Sequence, residues 1–225
     1  MHFLCLHGVG TNSKILEVQS AAVRRELGDS HTYDYAEGTL PTPILPEISP
    51  HFPDEEEGFA YFDPSRPETL TMAMDNLEAF ILSEGPFDGI LAFSHGAQLA
   101  ATFLVERGQV QGSAGARSIQ CALFFSGGIP YHSSPTSTRG LAYMTDEREG
   151  GDHVMLHLPT AHVWGQNDVS YPGTSEVLSL LCKPEWRAIY VHEGGHEIPG
   201  WKSRSCLMGS IEVVRRTVHL ALGLN

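Results

Sequence analysis

The sequence predicts an α/β fold: a mostly parallel, doubly wound sheet with helices on both faces and a loop-rich lid. Three observations lead there. Short continuous apolar runs, Phe3-Leu4-Cys5-Leu6, Ile90-Leu91-Ala92-Phe93 and Cys121-Ala122-Leu123-Phe124-Phe125, read as strands buried on both faces. Stretches with apolar residues at helical spacing lie between them, so strand-like and helix-like segments alternate through the chain. Residues able to do chemistry (Gly8-Val9, Ser94, Asp168 and His196) stand just past strand candidates, where such folds keep their working groups.

Taken in order, Phe3–Leu6 stops at the Gly-rich turn His7-Gly8-Val9-Gly10-Thr11-Asn12. Ser13 is placed to cap a helix with Leu16, Gln19, Val23 and Leu27 on one face. Thr32-Tyr33-Asp34-Tyr35-Ala36 is the next strand. Residues 39–67 then change character, with seven prolines (Pro41, Pro43, Pro46, Pro50, Pro53, Pro64, Pro67) and the acidic run Asp54-Glu55-Glu56-Glu57. Long irregular loops in compact domains are binding loops, lids or disorder. The embedded Phe52, Phe59, Tyr61 and Phe62 predict partial packing as a lid or pocket wall, and the acidic run reads as a solvated face. Ser65-x-x-Glu68 has the capping-box pattern, with Pro67 at an early helical position and Leu70, Met74, Leu77 and Ile81 on one face. Gly85-Pro86 ends that helix and leads to the strand 90–93, a one-residue turn at Ser94, and a helix over about 95–107. A Gly- and Ser-rich loop precedes the strand 121–125, and residues 130–152 read as loop or short lid elements. Ala161–Trp164 is a strand ending at Gly165-Gln166-Asn167-Asp168, 172–181 a helix, and Trp186–Val191 a strand ending at His192-Glu193-Gly194-Gly195-His196. The last helix carries Leu207, Ile211, Val214 and Val218 on one face.

The totals bound the function. A chain of 225 residues fits one domain with one core. The net charge of −13 argues against nucleic acid, whose phosphates need a basic patch. No apolar run is long enough for a membrane span. The first strand begins at residue 2, so no signal peptide is expected. Cys5, Cys121, Cys182 and Cys206 form no Cys-x-x-Cys pair, which suits free thiols in a reducing compartment, the cytoplasm.

Ser94 sits between strand and helix with small neighbours, Ala92 and Gly96. This resembles the nucleophile elbow of α/β-hydrolases, with Ala92 where that motif has Gly. A serine hydroxyl needs a base to take its proton, and the base needs a third group to orient it. The order Ser94, Asp168, His196 is that of α/β-hydrolases. Ser94 would attack an acyl carbonyl, His196 would shuttle the proton, and Asp168 would fix the imidazole tautomer. The backbone N–H groups of Val9 and His95 would hold the oxyanion, with the His95 side chain projecting away from the first helical turn. His162 reads as a packed strand histidine, His192 as a rival base, and Asp146 and Asp152 as weaker candidates for the acid. The turn at residues 7–12 lacks both phosphate-cradle patterns. His192-Glu193-Gly194-Gly195-His196 matches H-E-x-x-H, but a zinc site needs both histidines on a helix, which the two glycines and Pro199-Gly200 disfavour.

Leu6-His7-Gly8-Val9-Gly10-Thr11-Asn12-Ser13, Ala92-Phe93-Ser94-His95-Gly96-Ala97, Val163-Trp164-Gly165-x-x-Asp168 and Gly194-Gly195-His196 together resemble the fungal serine hydrolase (FSH) family of α/β-hydrolases. The likeness spans nearly the whole chain and looks like the branch of stand-alone thioesterases that release polyketides. The family pattern at the elbow is Gly-Phe-Ser-Gln-Gly, from which Ala92 and His95 depart. The resemblance implies a serine hydrolase for esters or thioesters, with an acyl chain on a carrier protein of a polyketide synthase as one substrate. No metal or cofactor is expected. The same fold could serve cyclisation, acyl transfer or carbon–carbon cleavage, or a non-catalytic interaction module. Docking an acidic carrier to this acidic chain would need a local basic spot, for which Arg139, Arg148, Lys202 and Arg204 are candidates.

Overall fold

The computed structural model describes residues 1–55, 57–108, 114–132 and 155–224. In chain order its elements are β1 (His2–Leu6), α1 (Ser13–Leu27), β2 (Thr32–Ala36), β3 (Leu40–Thr42), β4 (Gly58–Ala60), α2 (Pro67–Glu84), β5 (Gly89–Phe93), α3 (His95–Gly108), α4 (Ala114–Ser118), β6 (Cys121–Phe125), β7 (Thr160–Gly165), α5 (Thr174–Leu180), β8 (Arg187–His192) and α6 (Arg204–Ala221). Six strands form one sheet in the order β2-β1-β5-β6-β7-β8, parallel at every pairing. The chain leaves β1 toward β2 on one side and re-enters at β5 on the other. The C-terminal ends of β1 and β5 therefore flank the crevice where the strand order reverses, the usual ligand position in such sheets.

The apolar runs lie at the centre of the sheet because alternate side chains serve two cores. Leu4, Leu6, Ile90, Ala92, Ala122 and Phe124 pack against the apolar faces of α2 and α3. Phe3, Cys5, Leu91, Phe93, Leu123 and Phe125 pack against Leu16 and Val23 of α1 and Leu207, Ile211, Val214 and Val218 of α6. Every residue of β5 and β6 is buried. Each large apolar side chain so buried contributes roughly 1.5–3 kcal/mol. The four cysteines are free and buried.

Local details depart from the sequence reading in three places. Asn12, not Ser13, caps α1: it holds extended backbone and its side chain accepts from the Ile15 N–H at 2.9 Å. Ser13 instead donates its own N–H to Glu37. The Ser65-x-x-Glu68 box does not form, since the Ser65 hydroxyl donates to Asp63 at 2.7 Å and α2 starts at Pro67 with no side-chain cap. Residues 39–67 contain regular structure, the antiparallel pair β3 and β4. Of the stretch 130–152, residues 133–152 lie outside the described residues, with Asp146, Asp152, Arg139 and Arg148 among them.

His162 on β7 is 1% exposed, its ring 5.3 Å from that of Phe124, with neither nitrogen hydrogen-bonded among the described residues. Burial pulls its pKa from 6.5 down to about 3. His95 is pulled down to about 3 for the same reason. Both stay neutral in the folded chain while the unfolded chain takes up protons below about pH 6.5. Stability is therefore lost as pH falls from that value toward 3, by up to about 1.4 kcal/mol per pH unit for each ring. His162→Phe is expected to remove about 1.4 kcal/mol per pH unit from that slope, measured by urea unfolding between pH 6 and 4. An unchanged slope would show that His162 is not the source.

Candidate active site

Ser94 follows β5 directly and starts the turn into α3 with φ of +53°, the left-handed region that a side chain adopts only when its surroundings enforce it. They do so here. The Ser94 N–H donates to Phe125 O at 2.9 Å. Gly96 lies so close to β1 that a Cβ would meet Leu6 O at 2.5 Å and His7 O at 2.6 Å. Ala92 is fully buried in the α2–α3 core, so its methyl is packing and not an obstacle.

The Ser94 hydroxyl is 2.8 Å from His196 Nε2. His196 Nδ1 is 2.6 Å from Asp168 Oδ2. A carboxylate only accepts, so Nδ1 carries the proton and Nε2 presents its lone pair to Ser94. The other carboxylate oxygen, Asp168 Oδ1, accepts from the N–H groups of Ser170 at 3.0 Å and Tyr171 at 3.2 Å. The rings of Phe93 and Tyr171 flank the imidazole at 5.1 and 5.2 Å. Ser94 is 7% exposed and lines an open cleft. Such an arrangement can pass a proton from alcohol to imidazole while an adjacent carboxylate stabilises the cation.

Asp168 and His196 are 28 residues apart, and their loops are tied together. Gln166 N–H donates to His192 O at 2.8 Å, Asn167 N–H to Gly194 O at 3.1 Å, and Asn167 Nδ2 to Glu193 O at 2.6 Å. The approach requires glycine at 165, where a Cβ would meet Gly194 O at 2.2 Å. His192 ends β8, and its Nδ1 accepts from Gly194 N–H at 3.1 Å. Residues 192–196 thus form a strand end and turn, and only His196 reaches Ser94.

Gly8 stands against the elbow, its missing Cβ 3.6 Å from Ser94 Cβ, and Val9 lines the same cleft as Ser94. His95 is the first residue of α3, so its N–H has no intrahelical acceptor. Its side chain, expected to project from the first helical turn, is covered by the segment at Tyr61 and Phe62. The ring is half-buried and stacks on Phe62 at 4.3 Å, and its Nε2 accepts from Tyr61 N–H at 3.1 Å. The Tyr61 hydroxyl in turn donates to Ala36 O and accepts from His7 N–H, both at 2.8 Å. Burial raises the Tyr61 pKa, which keeps that proton in place. Sequence reasoning missed Tyr61, Asn167 and Tyr171, because nothing local signals a partner from another loop.

The turn after β1 is strapped to the β3–β4 hairpin. Gly10 N–H donates to Phe59 O at 3.0 Å, Phe59 N–H to Thr11 O at 2.8 Å, and Leu45 N–H to Gly10 O at 3.1 Å. Residues 45–52 thereby reach the cleft in front of Ser94, whose volume is about 840 Å³. Leu45, Ile48, Phe52, Phe93, Ile198 and Trp201 give it apolar walls, and Glu47, His51, Glu193, Glu197 and Lys202 add polar groups. Glu55 of the acidic run accepts from Asn12 Nδ2 at 2.9 Å and from Lys14 at 3.3 Å. Among the described residues, no helix is long and apolar enough to cross a membrane.

Comparison with known proteins places these features in context. Residues 1–205 match the family model described as serine hydrolase (FSH1). The esterase FPY3 of Fusarium mangiferae is 39% identical over 203 residues, covering 88% of each chain. The esterase FUS5 of Gibberella moniliformis is 31% identical over 204 residues, covering 87% of this chain and 78% of its own. Solved structures share the fold at much lower identity. A carboxylesterase from Mesorhizobium loti superposes with a TM-score of 0.60 at 16% identity, covering 96% of this chain and 87% of its own. Acyl-protein thioesterase 2 of Zea mays does so with 0.57 at 14%, covering 96% and 93%. These neighbours have the α/β-hydrolase fold, as this chain does.

Proposed function

The chain belongs to the FSH1 serine hydrolase family and is a hydrolase, and from that premise we propose that Ser94, His196 and Asp168 form its catalytic triad, acting on acyl esters and thioesters. The observation that carries the reading is the continuous pair of hydrogen bonds, 2.8 Å from Ser94 Oγ to His196 Nε2 and 2.6 Å from His196 Nδ1 to Asp168 Oδ2. Ser94 attacks the acyl carbonyl as His196 takes its proton. The Val9 and His95 N–H groups stabilise the developing oxyanion, the second aided by the positive end of α3. His196 then protonates the departing alcohol or thiol. Water, deprotonated by the same imidazole, releases the acid from the acyl-enzyme. None of these steps requires a metal or cofactor.

The apolar walls of the cleft favour a substrate with an extended apolar acyl group. A polyketide chain carried as a thioester fits that description, and its carrier protein would approach the cleft at Lys202, with Arg204 nearby at the start of α6. Each CH₂ buried in the cleft stabilises the bound acyl group by about 0.8 kcal/mol, roughly fourfold in kcat/KM. The test is a series of p-nitrophenyl esters and N-acetylcysteamine thioesters from C2 to C10, with products identified by mass spectrometry. Octanoyl substrates are expected to exceed acetyl by at least about 100-fold in kcat/KM, with the free acid as product. A flat chain-length profile would reject the cleft as the acyl site, and a lactone or transferred ester would replace hydrolysis by acyl transfer.

A further inference from the structure

The residues at 8 and 9 share one peptide unit, with the carbonyl on Gly8 and the N–H on Val9. In a trans peptide these point in opposite directions, so fixing one end aims the other. The Gly8 carbonyl is held from two sides. Thr11 Oγ1 donates to it at 2.6 Å and His7 Nδ1 at 2.8 Å. Thr11 and His7 are 2% and 0% exposed. A carbonyl only accepts, so His7 Nδ1 carries a proton.

The far side of the His7 ring is anchored as well. Nε2 faces Glu37 Oε1 at 2.8 Å and Gly38 N at 3.0 Å. A protonated Nε2 donates to the carboxylate, and an unprotonated one accepts from the amide, so the ring is tethered to the chain after β2 in either state. Burial would raise the Glu37 pKa, but the His7 hydrogen bond and charge and the Ser13 N–H outweigh it and hold the carboxyl below its ordinary range. Glu37 thus remains an acceptor for the ring and for the first N–H of α1.

We infer that His7 and Thr11 are positioning residues, which by gripping Gly8 O aim the Val9 N–H at the acyl oxygen held at Ser94. The backbone ties of Gly10 and Thr11 to the β3–β4 hairpin place the turn, and the grip on Gly8 O sets the rotation of the peptide itself. Gly8 has no side chain to restrict its peptide, and Gly10 on the far side holds a φ of +62°. The inference rests on the proposed roles of Ser94 and Val9.

Purified protein spanning residues 1–225 and carrying Thr11→Val keeps the shape of residue 11 and loses its donor. Thr11→Ser keeps the donor. Kinetics on p-nitrophenyl octanoate are read per active site, counted by end-point titration with a fluorophosphonate. An alkyl trifluoromethyl ketone, which forms a tetrahedral adduct with an oxyanion, reports the donor geometry directly. Thr11→Val is expected to lower kcat about tenfold with KM within twofold, and to weaken the ketone by the same factor. Thr11→Ser should restore both. His7→Asn, whose amide N–H replaces Nδ1–H while losing the Glu37 tether, should retain more kcat and ketone affinity than His7→Leu, which should fall with Thr11→Val. Retained kcat and ketone affinity in Thr11→Val, or equal damage in Thr11→Ser, would overturn the inference. If Thr11→Val does not fold by circular dichroism, the His7→Asn and His7→Leu pair decides: equal ketone affinity in both overturns it. Failure of the underlying reading shows separately, as fluorophosphonate labelling that survives Ser94→Ala.

Discussion

Ser94→Ala should eliminate turnover, lowering kcat by about 10⁶-fold, the scale seen when a nucleophile is removed from a serine hydrolase triad. The substitution removes one oxygen, and the hydrogen bond to His196 Nε2 goes with it. The backbone turn at φ of +53° is enforced by Gly96 and the Phe125 carbonyl, so it persists. Alanine tolerates that conformation about as well as serine, so the fold should be unchanged by thermal melting. Substrate affinity should also survive, since the walls at Leu45, Ile48 and Phe52 are untouched. The decisive measurement is fluorophosphonate labelling: it should mark the wild type and fail on Ser94→Ala. Labelling that persists in the variant would mean that another residue is the nucleophile.

Asp168→Asn should cost about 10⁴-fold in kcat, and the reason lies in which end of the amide faces the histidine. The Oδ1 position meets two N–H donors, from Ser170 and Tyr171, so the asparagine oxygen must take it. The NH₂ group is then forced toward His196 Nδ1. That nitrogen becomes the acceptor, its proton moves to Nε2, and the lone pair that Ser94 needs is gone. The rate of fluorophosphonate labelling should fall in parallel with turnover, because both depend on the same proton transfer. A loss smaller than tenfold in either would remove Asp168 from the proposed triad.

The central strands, and with them the place of Ser94, were legible because burial on both faces leaves continuous apolar runs, which Ile90–Phe93 and Cys121–Phe125 display without reference to anything distant. Asp168 and His196 were placed instead by the glycine-containing turns that follow β7 and the half-exposed β8. The His95 side chain was not legible. Its surroundings are Tyr61 and Phe62, more than thirty residues earlier, and no local pattern announces that a loop will fold over the first turn of a helix. The cap of α1 was misplaced by one residue because Asn12 and Ser13 are both good caps. Glu37, just past the end of β2, decides between them by taking the Ser13 N–H. The β3–β4 pair was hidden because its strands are three residues each and one contains Pro41, too short for alternation to register. Asn167 and Thr11 are polar residues in turns, and turns favour such residues whether or not they reach across to another loop.

The backbone ties joining Gly10 and Thr11 to Phe59 and Leu45 have a practical consequence for anyone redesigning this enzyme. The segment that would measure acyl length and the segment that would stabilise the reacting carbonyl are one mechanical piece. Grafting a relative's 43–58 segment of a different length would alter speed together with selectivity, whereas exchanging single side chains at Leu45, Ile48 or Phe52 would retune preference and leave the catalytic backbone undisturbed.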